Sequence, residues 1–215
     1  MIKYLSALMG LLALAAAFTS SSQAAEQRLP LDVFTSVTAR QDIELTIGCA
    51  ADPHLVVMGS RKGIEQLNVN NQDGALVLNN PRSRSTLNIK LFTNTPLSAI
   101  RGKMGTQINV SSCAVNPEAF QITASKGAGI NVEGRTDLLR LNLSQGANFN
   151  QMWTPFSVNV AQVRLRMGSV ASLCDVRTVS GTLTAGAHLS IDSSTSLEIG
   201  EEDMFASTVA RSDCR

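Results

Sequence analysis

The sequence is poor in aromatic side chains and in histidine, and its charges nearly cancel. Only 4% of the 215 residues are aromatic, and there are two His. With 18 Lys and Arg against 17 Asp and Glu, the formal net charge is +1, which argues against the strongly basic face that nucleic-acid binding needs. At 44% hydrophobic residues, the chain is too apolar to be disordered. Its length fits one domain and excludes a large multidomain enzyme.

Long apolar runs are missing except near the N terminus. Residues 5–18 form an apolar run of 14 residues after the cationic Lys3, and small residues precede a cleavage site after Ala24. The alternative is a membrane anchor, but a helix needs roughly 20 residues to cross a bilayer. No Cys stands at the cleavage point, which argues against a lipid anchor. We therefore predict a signal peptide over residues 1–24 and an exported protein, periplasmic or secreted, with no transmembrane segment in the mature chain.

Motifs for catalysis or cofactor binding are also missing. The chain has no phosphate-binding loop, nucleotide fingerprint or metal-binding motif. His54 follows Pro53 in a predicted turn. His188 shares an outward strand face with Ser190 and Asp192, where side chains point side by side and do not converge as a catalytic triad requires. The residues predict no catalytic site, no metal site, no cofactor and hence no enzyme.

From residue 33 onward, apolar and polar residues alternate, as they do in strands with one buried face. Examples are Ile43, Leu45 and Ile47; Leu87, Ile89 and Leu91; Leu139, Leu141 and Leu143; and Phe156, Val158 and Val160. Asp73–Gly74 is typical of a hairpin turn. The alternation predicts an all-β fold.

Five glycines recur at intervals of 22, 19, 22 and 18 residues, which are Gly105, Gly127, Gly146, Gly168 and Gly186. The position five before each glycine is apolar in four of the five, the position three after in all five, and the position five after in four. A regular period with a glycine at each bend predicts a parallel β-helix or β-solenoid of about five rungs of about 20 residues. A β-sandwich with regularly spaced turns is the alternative.

This pattern divides the chain into a signal peptide (1–24) and a single β-solenoid domain (25–215). Within the domain, residues 29–99 provide N-terminal strands that serve as a β cap, residues 100–192 the glycine-centred rungs, and residues 193–215 a polar C-terminal tail. The two ends of a solenoid are open sheet edges, so both flanking segments are expected to cover them.

Four cysteines suit disulfide bonding in an oxidising compartment, and these are Cys49, Cys113, Cys174 and Cys214. On a solenoid, Cys113 and Cys174 would lie too far apart along the axis to bond. Of the two remaining pairings, we prefer Cys49 with Cys113 and Cys174 with Cys214, because it closes both ends of the domain. Free, buried thiols remain the alternative.

Polar side chains occupy outward positions two and four residues after the rung glycines. They form a possible binding face, whose members include Asn109, Asn131, Asn148, Asn150 and His188. Equivalent positions on stacked strands lie about 4.8 Å apart, so the array could engage a repeating polymer such as a glycan. The alternative is a hydrogen-bond ladder that only stiffens the face. Trp153 is the candidate aromatic anchor.

Several short motifs occur in a characteristic order, and these are Phe34–Val37, Asp42–Leu45, Val56–Gly59, Asp73–Leu78 and Asn94–Leu97. With the glycine-centred rungs that follow, this order resembles the putative auto-transporter adhesin head GIN domain family over roughly residues 33–192. The resemblance implies an exported, β-helix-like domain. The rungs here differ from the family's usual Ser-Gly-Ser-Gly sequence.

We therefore expect a non-enzymatic exported envelope protein, an adhesion, interaction or scaffolding module. The alternative is a polysaccharide-binding or polysaccharide-active β-helix protein. The expected partner is an envelope or surface component, protein or glycan, and not a nucleic acid.

Overall fold

The computed structural model describes residues 25–81, 86–151, 154–200, 202 and 204–213. Within these ranges the chain forms almost only strands, joined by short turns. The strands are β1 (Ala25–Pro30), β2 (Ser36–Arg40), β3 (Ile43–Cys49), β4 (His54–Gly59), β5 (Asn68–Gln72), β6 (Ala75–Asn79), β7 (Leu87–Thr93), β8 (Ala99–Lys103), β9 (Gln107–Val110), β10 (Ala119–Ser125), β11 (Gly129–Val132), β12 (Gly134–Ser144), β13 (Asn148–Phe149), β14 (Phe156–Arg166), β15 (Val170–Leu173), β16 (Asp175–Thr184), β17 (His188–Asp192), β18 (Ser196–Glu198), β19 (Met204–Phe205) and β20 (Thr208–Ser212). A short helix, α1 (Arg61–Gln66), and a 3-10 turn, Ser112–Ala114, complete the described elements.

The strands form two sheets. Sheet A has the order β1-β4-β7-β3-β9-β11-β13-β15-β17-β20, and sheet B has the order β18-β16-β14-β12-β10-β8-β2-β6-β5, with β19 also paired to β16. Pairing is parallel except for β1 with β4, β4 with β7 and β5 with β6. Each turn of the chain adds one strand to each sheet, so the molecule is a β-solenoid of about five turns. The predicted all-β solenoid is confirmed.

The five recurring glycines lie where the chain passes from sheet B to sheet A. Each follows a residue that also has a positive φ, as in Met104 (58°) and Gly105 (71°). These corners stack on one another through backbone hydrogen bonds, for example from Gly105 N–H to Lys126 O at 3.1 Å and from Gly146 N–H to Met167 O at 3.0 Å. Two successive left-handed residues reverse the chain in a tight turn, and glycine adopts the second at little steric cost.

Side chains that point between the sheets form one hydrophobic core along the axis. The alternation recognised in the sequence produces it, since Leu45, Leu91, Leu141 and Val163 are all buried. The position directly after each corner glycine holds a small buried residue, namely Thr106, Ala128, Ala147, Ser169 or Ala187. Only a small side chain fits inside the bend, a regularity that the sequence analysis missed.

A distinct N-terminal cap, predicted for residues 29–99, is not shown. Strands β2 and β3 instead lie in the two sheets directly beside β8 and β9, and β6 and β7 stack on their other side. At the opposite end, β20 pairs with β17 and β19 with β16. That either end segment protects an edge stays a prediction, as does the signal peptide, because residues 1–24 lie outside the described part of the chain.

Candidate functional site

The predicted amide array exists on the outer face of sheet A. Strand register places Thr46 beside Asn109 and Asn109 beside Asn131. The Asn131 side chain donates from Nδ2 to Asn109 Oδ1 at 3.0 Å. Neighbouring amides therefore form one step of a ladder and retain outward-facing donors and acceptors.

A shallow groove of about 330 Å³ runs over this part of sheet A. Its lining includes Glu44, Thr46, Met58, Asn88, Lys90, Gln107, Asn109 and Asn131. The groove combines one carboxylate, one ammonium group and several amides, so its polar groups suit a ligand rich in hydroxyl groups.

Gly129 interrupts the row of amide side chains, and the amides on the two adjacent strands fill the space beside it. Gly129 lies between Gln107 and Asn148 in the strand register. A Cβ at Gly129 would lie 2.8 Å from Asn148 Oδ1 and closer still to Gln107 Oε1. The two amide side chains therefore occupy the space that a side chain at position 129 would need, and they continue the polar row across the glycine.

The outward position predicted for Asn150 is wrong. Asn150 is 6% exposed and has a left-handed backbone with a φ of 47°. Its Oδ1 accepts a hydrogen bond from Val132 N at 2.7 Å, and its Nδ2 donates to Val132 O at 3.4 Å. Because β13 ends at Phe149, the Asn150 amide takes the place of the missing strand backbone. This side chain is structural and unavailable to a ligand.

His188, another residue of the predicted binding face, lies farther along the solenoid axis than the groove does. Both His188 ring nitrogens have partners, with Nδ1 2.6 Å from Thr208 Oγ1 and Nε2 3.3 Å from Ser190 Oγ. The Nδ1 partner is thus a hydroxyl and not the carboxylate that orients a catalytic histidine. Trp153 lies outside the described residues.

An aromatic surface that the sequence analysis missed lies on the same sheet face. The rings of His54 and Phe92 stack with centroids 4.6 Å apart and planes 17° from parallel. Phe92 follows the groove residue Lys90 by two positions on β7, so both point outward. The only sequence signal was Phe92 itself, since His54 was assigned to a turn.

The preferred disulfide pairing is confirmed for its first bond. Cys49 and Cys113 are joined, with Cα atoms 6.2 Å apart. Cys174 is disulfide-bonded as well. Its predicted partner, Cys214, lies outside the described residues, so that pairing stays a prediction.

A cavity of about 840 Å³ opens where the chain passes from sheet A back to sheet B. Its lining includes Arg135, Asp175, Arg177, Asp192 and Ser194. Arg135 pairs with Asp137 at 3.8 Å, and the Ser157 hydroxyl donates to Asp175 Oδ2. Across the described ranges, no three His, Cys, Asp or Glu side chains converge as metal ligands.

The outer face of sheet B differs sharply from that of sheet A. Six cations project from the part of it nearer the glycine corners, and we call them the basic surface: Arg40, Arg101, Lys103, Arg140, Arg164 and Arg166. Other outward positions of sheet B hold charges of both signs, namely Arg135, Asp137, Asp175, Arg177 and Glu198. The strand segments that carry the basic surface, within residues 36–40, 99–103, 138–144 and 160–166, contain no Asp or Glu. The formal net charge of the chain therefore does not reveal this cluster of cations, because it sums over all faces of the molecule.

The sequence and fold were compared with known proteins. The family model described as putative auto-transporter adhesin, head GIN domain, matches residues 33–200. The chain belongs to this family. No functionally curated protein matches the chain in sequence.

Three solved structures have the same architecture as this GIN-domain protein. A putative adhesin from Bacteroides fragilis NCTC 9343 has a TM-score of 0.62 at 9% identity, and one from Parabacteroides merdae ATCC 43184 has 0.55 at 12%; each comparison covers 89% of this chain and 97% of the other. A putative lipid binding protein from Parabacteroides distasonis ATCC 8503 has 0.52 at 9%, covering 89% and 98%. At such low identity the likeness shows the fold alone.

The family description suggests a non-enzymatic, adhesin-like protein. A disulfide bond fits an exported protein. In the described part of the GIN-domain chain, no helix is long and apolar enough to cross a membrane.

Proposed function

We propose that this chain is an exported, non-enzymatic envelope protein that binds a surface glycan through the groove on sheet A. The observation that carries the proposal is the row of amides held at strand spacing by the parallel register of Asn109 and Asn131. A polymer with repeating hydroxyl groups can match such a row at successive positions, because each amide offers both a donor and an acceptor.

The surroundings of the groove support a sugar ligand. Glu44 and Lys90 line it with opposite charges, so it attracts neither strong polyanions nor polycations. The stacked pair of His54 and Phe92 supplies an apolar ring surface beyond Lys90, and sugar faces dock against such surfaces. Export is supported by the N-terminal sequence and by the Cys49–Cys113 bond, since such bonds persist in oxidising compartments.

The test is a binding screen of the exported protein against envelope polysaccharides and peptidoglycan fragments, read by thermal shift. A ligand present at 100 times its Kd stabilises a protein by about 2.7 kcal/mol, a shift of several degrees. The double variant Asn109→Ala/Asn131→Ala should lose the shift, and the matched control Thr123→Ala/Asn142→Ala on sheet B should keep it. If no glycan shifts the wild-type protein, glycan binding is refuted; if the double variant still shifts, the groove is the wrong site.

A further inference from the structure

A five-residue motif occurs twice in the chain and carries most of the basic surface. Residues 101–105 read Arg-Gly-Lys-Met-Gly, and residues 164–168 read Arg-Leu-Arg-Met-Gly. Both copies end at a corner glycine, so both hold the same structural position. The register aligns Arg101 with Thr123, Thr123 with Asn142 and Asn142 with Arg164. Three strand spacings of about 4.8 Å therefore place the copies about 14 Å apart on one face.

The fold gives no reason for a methionine at this position in either copy of the motif. Met104 and Met167 have left-handed backbones, with φ of 58° and 53°, which glycine and asparagine tolerate better than a long side chain does. They are 39% and 51% exposed, and neither belongs to the hydrophobic core. Corners without the motif hold Lys126, Gln145 or Ala185 at the same position. An exposed apolar tip next to two cations is thus a property of the motif and not of the corner.

A third apolar side chain extends the same edge. Phe205 is 72% exposed, and β19 places it beside Thr184, which itself lies beside Arg166. Phe205 therefore continues the row of Arg166, one residue before the corner row that holds Met167 and Met104. All three apolar side chains lie at or next to the corners, beside the cations.

The cations of the motif form no ion pair with another described residue. None of the six cations of the basic surface forms an ion pair within the described residues. Arg40 and Lys103 are strand neighbours, an arrangement that repels unless an anion lies between them. The nearest carboxylate in the corner rows is Asp42, whose Oδ1 lies 2.9 Å from the position of a Cβ on Gly105. Glu198 on β18 shares the strand row of Arg140, three strands away. Asp42 and Glu198 are fewer than the six cations, so the surface stays positive.

From these observations we infer that the basic surface and its apolar edge dock on an anionic lipid bilayer. Arginine and lysine side chains attract the headgroup phosphates, while the two methionines and Phe205 enter the interfacial layer, as the apolar side of an interfacial helix does. A soluble polyanion would use the cations but gain nothing from the exposed methionines. Bilayer docking would leave the sheet A groove on the side facing away from the lipid.

The test is co-sedimentation of the protein with vesicles of phosphatidylcholine alone or with one quarter phosphatidylglycerol. The full chain is expressed in an exporting host, and every variant is checked by mass for the same N terminus, so that residues 1–24 contribute equally to all. Wild-type protein should bind the anionic vesicles only. Arg101→Gln/Lys103→Gln/Arg164→Gln/Arg166→Gln should weaken binding about fivefold per cation, and thus at least 100-fold in total.

The matched charge control removes four exposed cations that lie off sheet B, as Arg28→Gln/Arg61→Gln/Lys62→Gln/Arg211→Gln, and should bind like wild type. If both quadruple variants lost vesicle binding equally, the binding would depend on net charge alone, and the assignment to the basic surface would be overturned. Equal binding of the wild type to neutral vesicles would overturn the role of the cations.

The variant Met104→Asn/Met167→Asn separates a bilayer from a soluble polyanion. Asparagine tolerates the left-handed backbone, so thermal stability should stay equal or rise, while vesicle binding should fall about tenfold for the lost apolar burial. Unchanged vesicle binding, with competition by inorganic polyphosphate, would identify a soluble-polyanion site and overturn the bilayer. A loss of stability would show that the methionines serve the fold and would equally overturn the inference. The sheet A variant Asn109→Ala/Asn131→Ala should bind vesicles normally, so this result is independent of glycan binding.

Discussion

The two outer faces of the solenoid are built on the same repeating geometry but differ in chemistry. Both sheets send apolar side chains into one shared core, and both meet at the same stacked corners. The outer face of sheet A carries amides and hydroxyls with the opposite charges of Glu44 and Lys90, whereas sheet B carries the six cations of the basic surface. Since folding constrains the inward and corner positions more tightly than the outward ones, the two faces can differ in charge without a change of fold.

This comparison implies that stability depends on inward, corner and cross-linked positions, and binding on outward ones. This division is wrong if an outward substitution costs as much stability as an inward one.

The largest expected effect concerns the disulfide cross-link between β3 and the turn after β9. The variant Cys49→Ala/Cys113→Ala should lose about 4 kcal/mol in unfolding free energy, because the bond closes a loop with a sequence separation of 64 residues. Urea denaturation measures the loss, and a change below about 1 kcal/mol would contradict the entropic account.

The next largest effect concerns Gly181 in sheet B. Its φ is 134°, and a Cβ would lie 1.9 Å from Val163 O on the neighbouring strand. Gly181→Ala should therefore destabilise the protein by about 3 kcal/mol or more, since backbone must move. Gly127→Ala is the matched control: it has a φ of 72° but no atom within 4 Å of its Cβ, so only about 1 kcal/mol of backbone strain is expected. Equal losses in denaturation midpoint would show that space is not the deciding factor.

Two asparagines in or next to sheet A, one buried and one facing outward, test whether stability depends on inward rather than outward side chains. Asn150→Ala removes the only side-chain partner of the buried Val132 N–H and should cost about 2 kcal/mol. Asn131→Ala breaks only the exposed contact with Asn109 and should cost no more than about 0.5 kcal/mol. Thermal melts of the two variants give the comparison directly. Similar losses would mean that the exposed ladder also holds the fold.

The smallest expected effect is the change of protein stability with salt concentration. Repulsion between Arg40 and Lys103 should make the wild type more stable as ionic strength rises, and Arg40→Gln should gain about 0.5 kcal/mol at low salt. The neutral sheet A change Asn109→Ala should leave the salt dependence as it is. Melts at low and high sodium chloride measure both, and a wild type indifferent to salt would argue against uncompensated charge on sheet B.

Much of the fold was predictable because two regular signals reinforce each other, alternation along strands and glycine at corners. The two exceptions in the glycine register were informative. Gly181 replaces an apolar residue five before Gly186, where the sheet leaves no room for a Cβ. Gln151 replaces an apolar residue five after Gly146, next to the point where the strand ends and Asn150 turns inward. Spacing alone could not show that the Asn150 amide would substitute for backbone.

The basic surface could have been found from the sequence by reading two and four residues before the corner glycines. Arg101 and Lys103 precede Gly105 at these offsets, and Arg164 and Arg166 precede Gly168. Net charge concealed them because it sums over all faces. The aromatic pair of His54 and Phe92 was harder to foresee, because it depends on antiparallel pairing between β4 and β7 across residues far apart in the chain.

The position of β2 and β3 also bears on how the molecule is assembled and how it could change length. β6 and β7 pair with these strands on one side, and β8 and β9 pair with them on the other. The turn formed by β2 and β3 is synthesised before these neighbours, yet it lies in the interior of the stack with strands added on both sides. It has both neighbours only after residue 110 has been synthesised, and the Cys49–Cys113 bond can form only after residue 113. Each later turn needs only the turn before it. Duplication of one such turn would lengthen the solenoid without rethreading its first part.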